Sequence, residues 1–459
     1  MEDVLFGRRI WLQEGFPAPT WLAEKVSLIE ITGERTIRVY WNTLYPFADQ
    51  FWGSAEAYPR HILEDTFLQW VETGDVAPFE AHPFWLTEFV GTGPFKLVDW
   101  IPGSHITVER FDDFFMGQVD PHYQPRLERL IFKFIEDVET LAIMVRTGEV
   151  HVTVPPNFPF DTALILYRDI EAGVVPADVV VEFREGAVWE HLDLRIQEVD
   201  LPHPYVREAF RDIRVRRALV HALDRQSLVD ELFEGRQVVS HGPLPLLHPL
   251  MSPEAVAAQK VYEYDPELAK ELLTEAGWIP GPDGIRVDAD GNRFVINIRT
   301  TAGNLTREMV QVILADHWLA VGIETVIENL PPAVLFGSTH FRDPGEWPGM
   351  VMFAWNIGLT HLPKSLWHSV NIMPAGWNVA QWANPEADAI IEKIMVEMDP
   401  VGRQQLMVDF MRLWTYDVAS IPLYFRAENP TRLANIIGFR PPGVGLSTWN
   451  TWEWDWAEE

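Results

Sequence analysis

The chain has 459 residues, of which 67 are acidic, 36 are basic and none is cysteine. The formal net charge of −31 argues against a nucleic-acid partner, because binding to a phosphate backbone needs clustered positive charge. The lack of cysteine excludes disulfides, cysteine-ligated metal clusters and cysteine nucleophiles. Hydrophobic residues make up 47% and charged residues 22%, which is ordinary globular composition, and the length allows two or three domains.

The first part of the chain predicts paired strands. Residues 26–31 and 36–41 alternate in hydropathy around a turn at Gly33. Residues 95–100 and 105–110 form a second predicted pair, which turns at Pro102 and Gly103. A helix is predicted over residues 138–150.

The middle of the chain is more helical. We predict one helix over residues 213–233 and another over 305–320, with buried strands at 349–355 and 421–425. Three further helices are predicted to begin with a capping side chain followed by proline, at Asp265, Asn384 and Asp399. Because strands and helices are mixed throughout, the predicted fold class is α/β or α+β in more than one domain.

Sequence motifs for cofactors, metals and catalysis are weak. The Gly91–Phe95 loop lacks the third glycine and the following helix of a dinucleotide site, and the Asp288–Asn292 loop places its glycine too early for a calcium loop. No His-Glu-x-x-His helix and no Gly-x-Ser-x-Gly elbow is present. We therefore predict no catalytic residue, no metal ligand and no cofactor, and expect that the protein is not an enzyme.

One stretch predicts a ligand-facing wall. A glycine and five apolar residues lead to a tryptophan and an asparagine, and the irregular sequence that follows is rich in tryptophan and amide side chains. Apolar faces supply contact area in binding sites, while a few amides orient the ligand. The alternative is core packing with satisfied amides. The predicted ligand-binding residues are Trp355, Asn356, Trp367, Trp377 and Asn378.

Several blocks together resemble a known family. Residues 89–115, "FVGTGPFKLVDWIPGSHITVERFDDFF", resemble the signature block of family 5 extracellular solute-binding proteins, the oligopeptide-, dipeptide- and nickel-binding type that serves ABC importers. Residues 212–236, "DIRVRRALVHALDRQSLVDELFEGR", and 264–278, "YDPELAKELLTEAGW", are similar to two helices of that family. The similar blocks follow the family order over nearly the whole chain.

The resemblance implies a two-lobed α/β fold of the periplasmic-binding-protein type (class II, large cluster C), with a hinge between the lobes. Lobe I would comprise residues 1–185, completed by 421–459, and lobe II residues 186–420. The protein would be a periplasmic or extracellular monomer that hands a small ligand to an ABC permease in the membrane. The ligand would be a peptide or an oligosaccharide.

Two departures from the family pattern matter. No signal peptide is visible, and the chain starts inside the first lobe, so we expect it to lack the N-terminal part of that lobe. Peptide-binding members also place an aspartate after the strand at 350–355, where it pairs with the amino group of the peptide. Here no acidic residue follows before Glu386, which favours a neutral ligand such as an oligosaccharide. Two other functions stay open, an exported glycoside hydrolase and a sensor without transport.

Overall fold

The computed structural model describes residues 1–14, 25–49, 57–153, 158–175, 178–196, 209–337, 349–359, 362–373, 375–442 and 445–457. The chain divides into two compact units by its contacts. The first unit comprises Met1–Glu182 and Asn429–Glu459, and the second comprises Phe183–Glu428. The chain therefore passes from one unit to the other twice.

The second boundary differs from the predicted one. Sequence analysis assigned residues from 421 onward to lobe I, but the strand Ile421–Glu428 pairs with Arg184–Leu194 along its length, from Ile421 opposite Leu192 to Glu428 opposite Arg184. These backbone hydrogen bonds place the whole strand in the second unit. The interpretation of the two units as lobes that close on a ligand stays a prediction.

The first unit contains small antiparallel sheets. The predicted hairpin is present as Val26–Gly33 and Thr36–Trp41. A second sheet is made of Phe95–Ile101, His105–Arg110 and Arg129–Lys133, and the returning strand Thr431–Leu433 lies between Val152–Thr153 and Val179–Val181. Ile436–Ile437 pairs with Asp455–Trp456. The helices are Glu2–Trp11, Arg60–Thr73, Ala77–Glu80, Phe115–Val119, Val138–Arg146 and Phe160–Glu171, with short 3-10 helices at Pro83–Trp85, Pro121–Tyr123 and Thr451–Glu453.

Among the described residues, the second unit is built around a six-stranded mixed sheet, here called the central sheet. Its strands are, in spatial order, Glu324–Ile327, Val295–Arg299, Met350–Asn356, Arg184–Leu194, Ile421–Glu428 and Val238–Val239. The first three run parallel, and the remaining pairings are antiparallel. A separate hairpin joins Ile279–Pro280 to Arg286–Val287. Because strands with neighbours on both sides have fixed backbones, the central sheet holds its side chains in defined positions.

The second unit also contains helices. They are Ile213–His221, Arg225–Phe233, Pro253–Ala257, Pro266–Glu275, Leu305–Ala320, Pro332–Leu335, Lys364–Trp367, Pro385–Ile394 and Pro400–Asp417, with a 3-10 helix at Ser369–Asn371. The three predicted proline-preceded caps are confirmed, because the side chains of Asp265, Asn384 and Asp399 each accept a backbone N–H of the first turn. The single helix predicted over residues 213–233 is wrong. Asp224 accepts the N–H of Ser227, and this new N-cap starts a second helix.

Large aromatic side chains fill the interior of the second unit. Trp189, Trp318 and Trp414 are fully buried, as are Phe210 and Phe410. In the described part of the chain, no helix combines the length and the apolarity that a bilayer crossing requires.

Candidate functional site

The strand Met350–Asn356 leads from the core to the surface. Its first four residues are buried, Trp355 is half-buried, and Asn356 is exposed. Trp355 lies opposite Trp189 of the neighbouring strand. The strand therefore presents its last two side chains at a place that the sheet keeps fixed.

Two of the predicted tryptophans meet there. The rings of Trp355 and Trp377 are 5.9 Å apart between centroids and cross at 85°. Trp355 also contacts the buried ring of Phe353, at 5.2 Å. Trp377 is 43% exposed, so part of its side chain is open to solvent. We call Trp355 and Trp377 the aromatic surface. Asn356, the next residue of the strand, is exposed, and its side chain points to the opposite face of the sheet.

The other two predicted residues lie elsewhere. Trp367 is 2% exposed and packs against Trp189, Phe410 and Trp414 in the core. Asn378 is fully buried, and its amide is used within the loop: it donates to the carbonyl of Trp382 at 2.8 Å and accepts the N–H of the same residue at 3.2 Å. For these two residues the structure shows the alternative, core packing with a satisfied amide.

The loop that carries Trp377 is ordered by amide and imidazole groups. Asn371 donates its side-chain amide to the carbonyl of Lys364 at 2.7 Å, and its own carbonyl accepts the N–H of Asn378 at 2.8 Å. His368 accepts the N–H of Val370 through Nδ1 at 3.1 Å. These bonds hold the backbone on both sides of Trp377, so Trp377 is positioned before any ligand arrives.

A buried charge cluster lies next to this strand. Glu190, which pairs with Ala354 and is 1% exposed, accepts hydrogen bonds from Arg307 at 3.1–3.2 Å and from Arg426 at 2.8 Å. Burial alone would raise the pKa of Glu190, but Arg426 and Arg307 outweigh it and hold the pKa below its ordinary value. The carboxylate of Glu190 is thus ionised, and the guanidinium groups of Arg307 and Arg426 balance its charge.

Sequence reasoning missed this cluster. Glu190 is 117 residues from Arg307 and 236 residues from Arg426, so no local spacing links the three. The strand Arg184–Leu194 carries several other charged or polar side chains, so Glu190 does not stand out in the sequence.

The aromatic surface carries no formal charge of its own. From Ile357 to Pro385 the sequence has no Asp or Glu, and Lys364 is paired with Glu392 at 2.7 Å. Two aromatic faces can stack on a ligand. This surface is suited to holding a ligand.

Comparisons with known proteins cover most of the chain. The sequence model of bacterial extracellular solute-binding proteins, family 5 Middle, matches residues 1–371. The oligopeptide-binding protein AppA of Bacillus subtilis is 26% identical over 398 residues, covering 84% of this chain and 64% of AppA. The glutathione-binding protein GsiB of Salmonella paratyphi A is 23% identical over 366 residues, covering 78% of this chain and 63% of GsiB. The chain thus spans just under two thirds of the length of these curated relatives.

Solved structures give the same picture of the fold. The oligopeptide-binding protein from Thermus thermophilus, complexed with a pentapeptide, matches with a TM-score of 0.73 and 28% identity, over 99% of this chain and 80% of that one. The ABC transporter substrate-binding protein CtaP from Listeria monocytogenes matches with a TM-score of 0.77 over all of this chain and 84% of CtaP. At 17% identity, the second match shows a common fold alone.

Proposed function

The chain belongs to the family 5 bacterial extracellular solute-binding proteins, and on this premise we propose that it captures a peptide for an ABC importer. It would act in the periplasm or outside the cell and pass its ligand to the membrane permease. The observation that carries this proposal is the family match over residues 1–371. Capture and release require no covalent bond to be made or broken. A surface of uncharged aromatic rings is suited to such reversible binding.

The proposed ligand contact is the aromatic surface. Trp355 and Trp377 offer crossed rings. A peptide has apolar side chains that the rings would cover. Peptide capture is supported by two similar proteins, AppA and the Thermus thermophilus protein, which are named for oligopeptide binding.

An oligosaccharide is the second candidate ligand. Its support is the absence of Asp and Glu between Asn356 and Glu386, where a carboxylate would be needed to neutralise the amino group of a peptide. Sugar rings have an apolar face that stacks on tryptophan, and their hydroxyls bind amides without any charge.

The proposed mechanism is capture followed by closure. A ligand favours a closed form by the difference between its affinities for the closed and the open forms. Burying an aromatic ring more fully contributes on the order of 1.5–3 kcal/mol. Two rings on the aromatic surface would therefore supply a large part of the free energy that favours closure.

A binding experiment tests this proposal. The chain is screened by thermal shift against short peptides and oligosaccharides, and the affinity of each hit is then measured for the wild type and for Trp377→Ala. Since Trp377 is already 43% exposed, the substitution is expected to change stability little while weakening binding about 10-fold or more. Trp355→Ala is expected to weaken binding as well, with some loss of stability because the ring is half-buried.

The matched control is Trp456→Ala in the first unit, where the tryptophan is 41% exposed. It is expected to leave the affinity unchanged. Equal affinity of Trp377→Ala and the wild type would remove the aromatic surface from the site. Hits among oligosaccharides alone would replace the peptide proposal by the second candidate.

A further inference from the structure

A second feature of the central sheet is a row of three side chains across the end of three neighbouring strands. Val188 pairs with Asn356 on one side and with Arg426 on the other. Because directly paired residues of antiparallel strands point to the same face, these side chains lie side by side. Trp355 points to the other face, so this row and the aromatic surface lie on opposite faces of the sheet. We call Arg426, Val188 and Asn356 the Arg426 row.

The guanidinium of Arg426 is held along one edge and open at the other. Its Nε donates to Oε1 of Glu190 at 2.8 Å, and its Nη2 donates to the same oxygen. Within the described residues, Nη1 makes no hydrogen bond and is not a buried atom. The side chain as a whole is 39% exposed. Glu190 therefore fixes the plane of the group and leaves Nη1 accessible to a ligand.

The charges in contact with Arg426 do not balance. Glu190 is the one carboxylate that Arg426 contacts in the described part of the chain, and it also accepts from Nε and Nη2 of Arg307 at 3.1–3.2 Å. Two cations thus share one anion. Arg307 is 8% exposed, and its Nη1 donates to Thr301 at 3.0 Å. The excess positive charge therefore has its accessible edge at Arg426.

Other ionisable side chains near the ends of these strands have their own partners. Glu428 lies opposite Arg184, and Glu185 accepts the backbone N–H of Leu246 at 2.9 Å. Across the described ranges, neither carboxyl forms an ion pair with Arg426. Burial raises the pKa of Glu428 to about 7, against the opposing charge of Arg184, so this carboxyl is partly protonated at neutral pH. Neither carboxyl neutralises the open edge of Arg426.

The backbone at Arg426 departs from regular pairing. The register with the neighbouring strand shifts between Arg426 and Ala427, which marks a β-bulge. A Cβ atom at Gly186 would lie 2.5 Å from the carbonyl oxygen of Arg426, so the close approach of the two backbones requires glycine. Bulges redirect side chains and are common next to functional sites. Here the bulge directly follows the residue with the open guanidinium edge.

We propose that the Arg426 row binds the carboxylate of a small aliphatic monocarboxylic acid. One carboxylate oxygen would accept from Nη1 of Arg426. The other would accept from the side-chain amide of Asn356, which is exposed and makes no hydrogen bond within the described residues. Guanidinium–carboxylate bonds are charge-assisted and directional, and one carboxylate matches the single excess charge.

The spacing of the strands suits such a ligand. Adjacent strands lie about 4.8 Å apart, which places the backbones of Arg426 and Asn356 roughly 10 Å apart. An arginine side chain, a carboxylate and an asparagine side chain together fill this span. Val188, between them, is half-buried and would contact the aliphatic part of the ligand. Because the row lies on the face opposite to the aromatic surface, this inference does not rest on peptide capture.

The test is ligand-observed NMR of the intact chain, with propionate as the probe and propionamide as the neutral compound of the same shape. We expect propionate to bind and propionamide not to bind. Asn356→Ala removes an exposed amide and is expected to weaken propionate binding about 10-fold, because a hydrogen bond to a charged group is lost. The matched control is Asn435→Ala, which removes an exposed amide in the first unit and is expected to leave the affinity unchanged.

A second variant, Arg426→Gln, tests the cation itself. Arg307 remains as the counter-charge of Glu190, so the cluster becomes neutral, and binding is expected to fall about 100-fold or more. The proposal is overturned if propionate does not bind, if propionamide binds equally well, or if either Asn356→Ala or Arg426→Gln keeps full affinity. Displacement of propionate by an equal concentration of inorganic phosphate would show a site for anions in general and would also overturn it. The comparison of the two compounds needs no substitution, so it decides the question even if Arg426→Gln does not fold.

Discussion

The two units organise their sheets in different ways. In the central sheet of the second unit, Leu192, Leu194 and Ile296 are completely buried. In the three-stranded sheet of the first unit, Ile131 is 53% exposed and Phe132 is 39% exposed. Because burial of apolar surface is the main stabilising contribution, the second unit has a core built on its sheet.

The first unit has one cluster of buried aromatic side chains between its helices, beside smaller clusters on its strands. The ring of Phe67 makes edge-to-face contacts with Phe6 at 5.3 Å and with Trp70 at 5.9 Å between centroids. Phe79 and Phe84 belong to the same buried cluster. The ion pair between Glu109 and Arg129 in the first unit lies at the surface, whereas the second unit encloses Glu190. The difference lies in the sheets: an apolar substitution on the central sheet should cost more than one on the three-stranded sheet of the first unit, where the side chains are partly exposed.

The largest expected effect comes from a buried tryptophan. Trp414→Ala removes a side chain that is completely buried and contacts Trp189 at 5.8 Å, so it leaves a large cavity. We expect the free energy of unfolding to fall by about 3–5 kcal/mol. Phe132→Ala in the first unit is the control, with an expected loss of roughly 1 kcal/mol or less. Denaturant titration measures both, and similar losses would contradict the difference between packing on the central sheet and packing on the three-stranded sheet.

The next effect concerns buried charge. Glu190→Gln leaves the guanidinium of Arg307, whose side chain is 9% exposed, without its counter-charge. We expect a loss of about 3 kcal/mol in the free energy of unfolding. The control Glu109→Gln breaks a pair whose side chains are 58% and 42% exposed, and should cost less than about 1 kcal/mol. If the two variants are equally stable, the Glu190 cluster does not stabilise the central sheet.

The smallest effect is a dependence on pH. Burial raises the pKa of the Glu428 carboxyl from 4.5 to about 7, against the opposing charge of Arg184. Between these values the folded chain keeps a proton that the unfolded chain releases, so stability falls as pH rises through this window. We expect a contribution of about 1–2 kcal/mol, since the side chain is partly exposed. Glu428→Gln should remove this part of the slope in denaturant titrations, and an unchanged slope would contradict the assignment.

Local signals in the sequence were sufficient for much of the fold. The helix over 305–320, the hairpins of the first unit and the three capping residues are confirmed, because each is set by periodicity or by a neighbouring proline. The family resemblance and the α/β fold class are confirmed as well. The split after His221 was missed because apolar spacing continues across Asp224, and the cap is visible only as a hydrogen bond.

The site was predicted less completely than the fold. Trp355 and Trp377 lie together, but tryptophan in a loop is equally suited to the core, as Trp367 shows. Asn378 is likewise of a residue type that often contacts ligands, but its side chain stabilises the loop by a hydrogen bond to Trp382. The Glu190 cluster joins two strand residues and one helix residue that are far apart in the chain. The cluster could be predicted only if the pairing of the strands were already known.

Native mass spectrometry of the intact chain tests the central claim most directly. The chain is incubated with mixtures of short peptides and oligosaccharides, and bound species are identified by mass. The account predicts a one-to-one complex from which the ligand is released unaltered, and whose yield falls in Trp377→Ala. No complex in either mixture, or a released ligand that has been cleaved, would contradict the account.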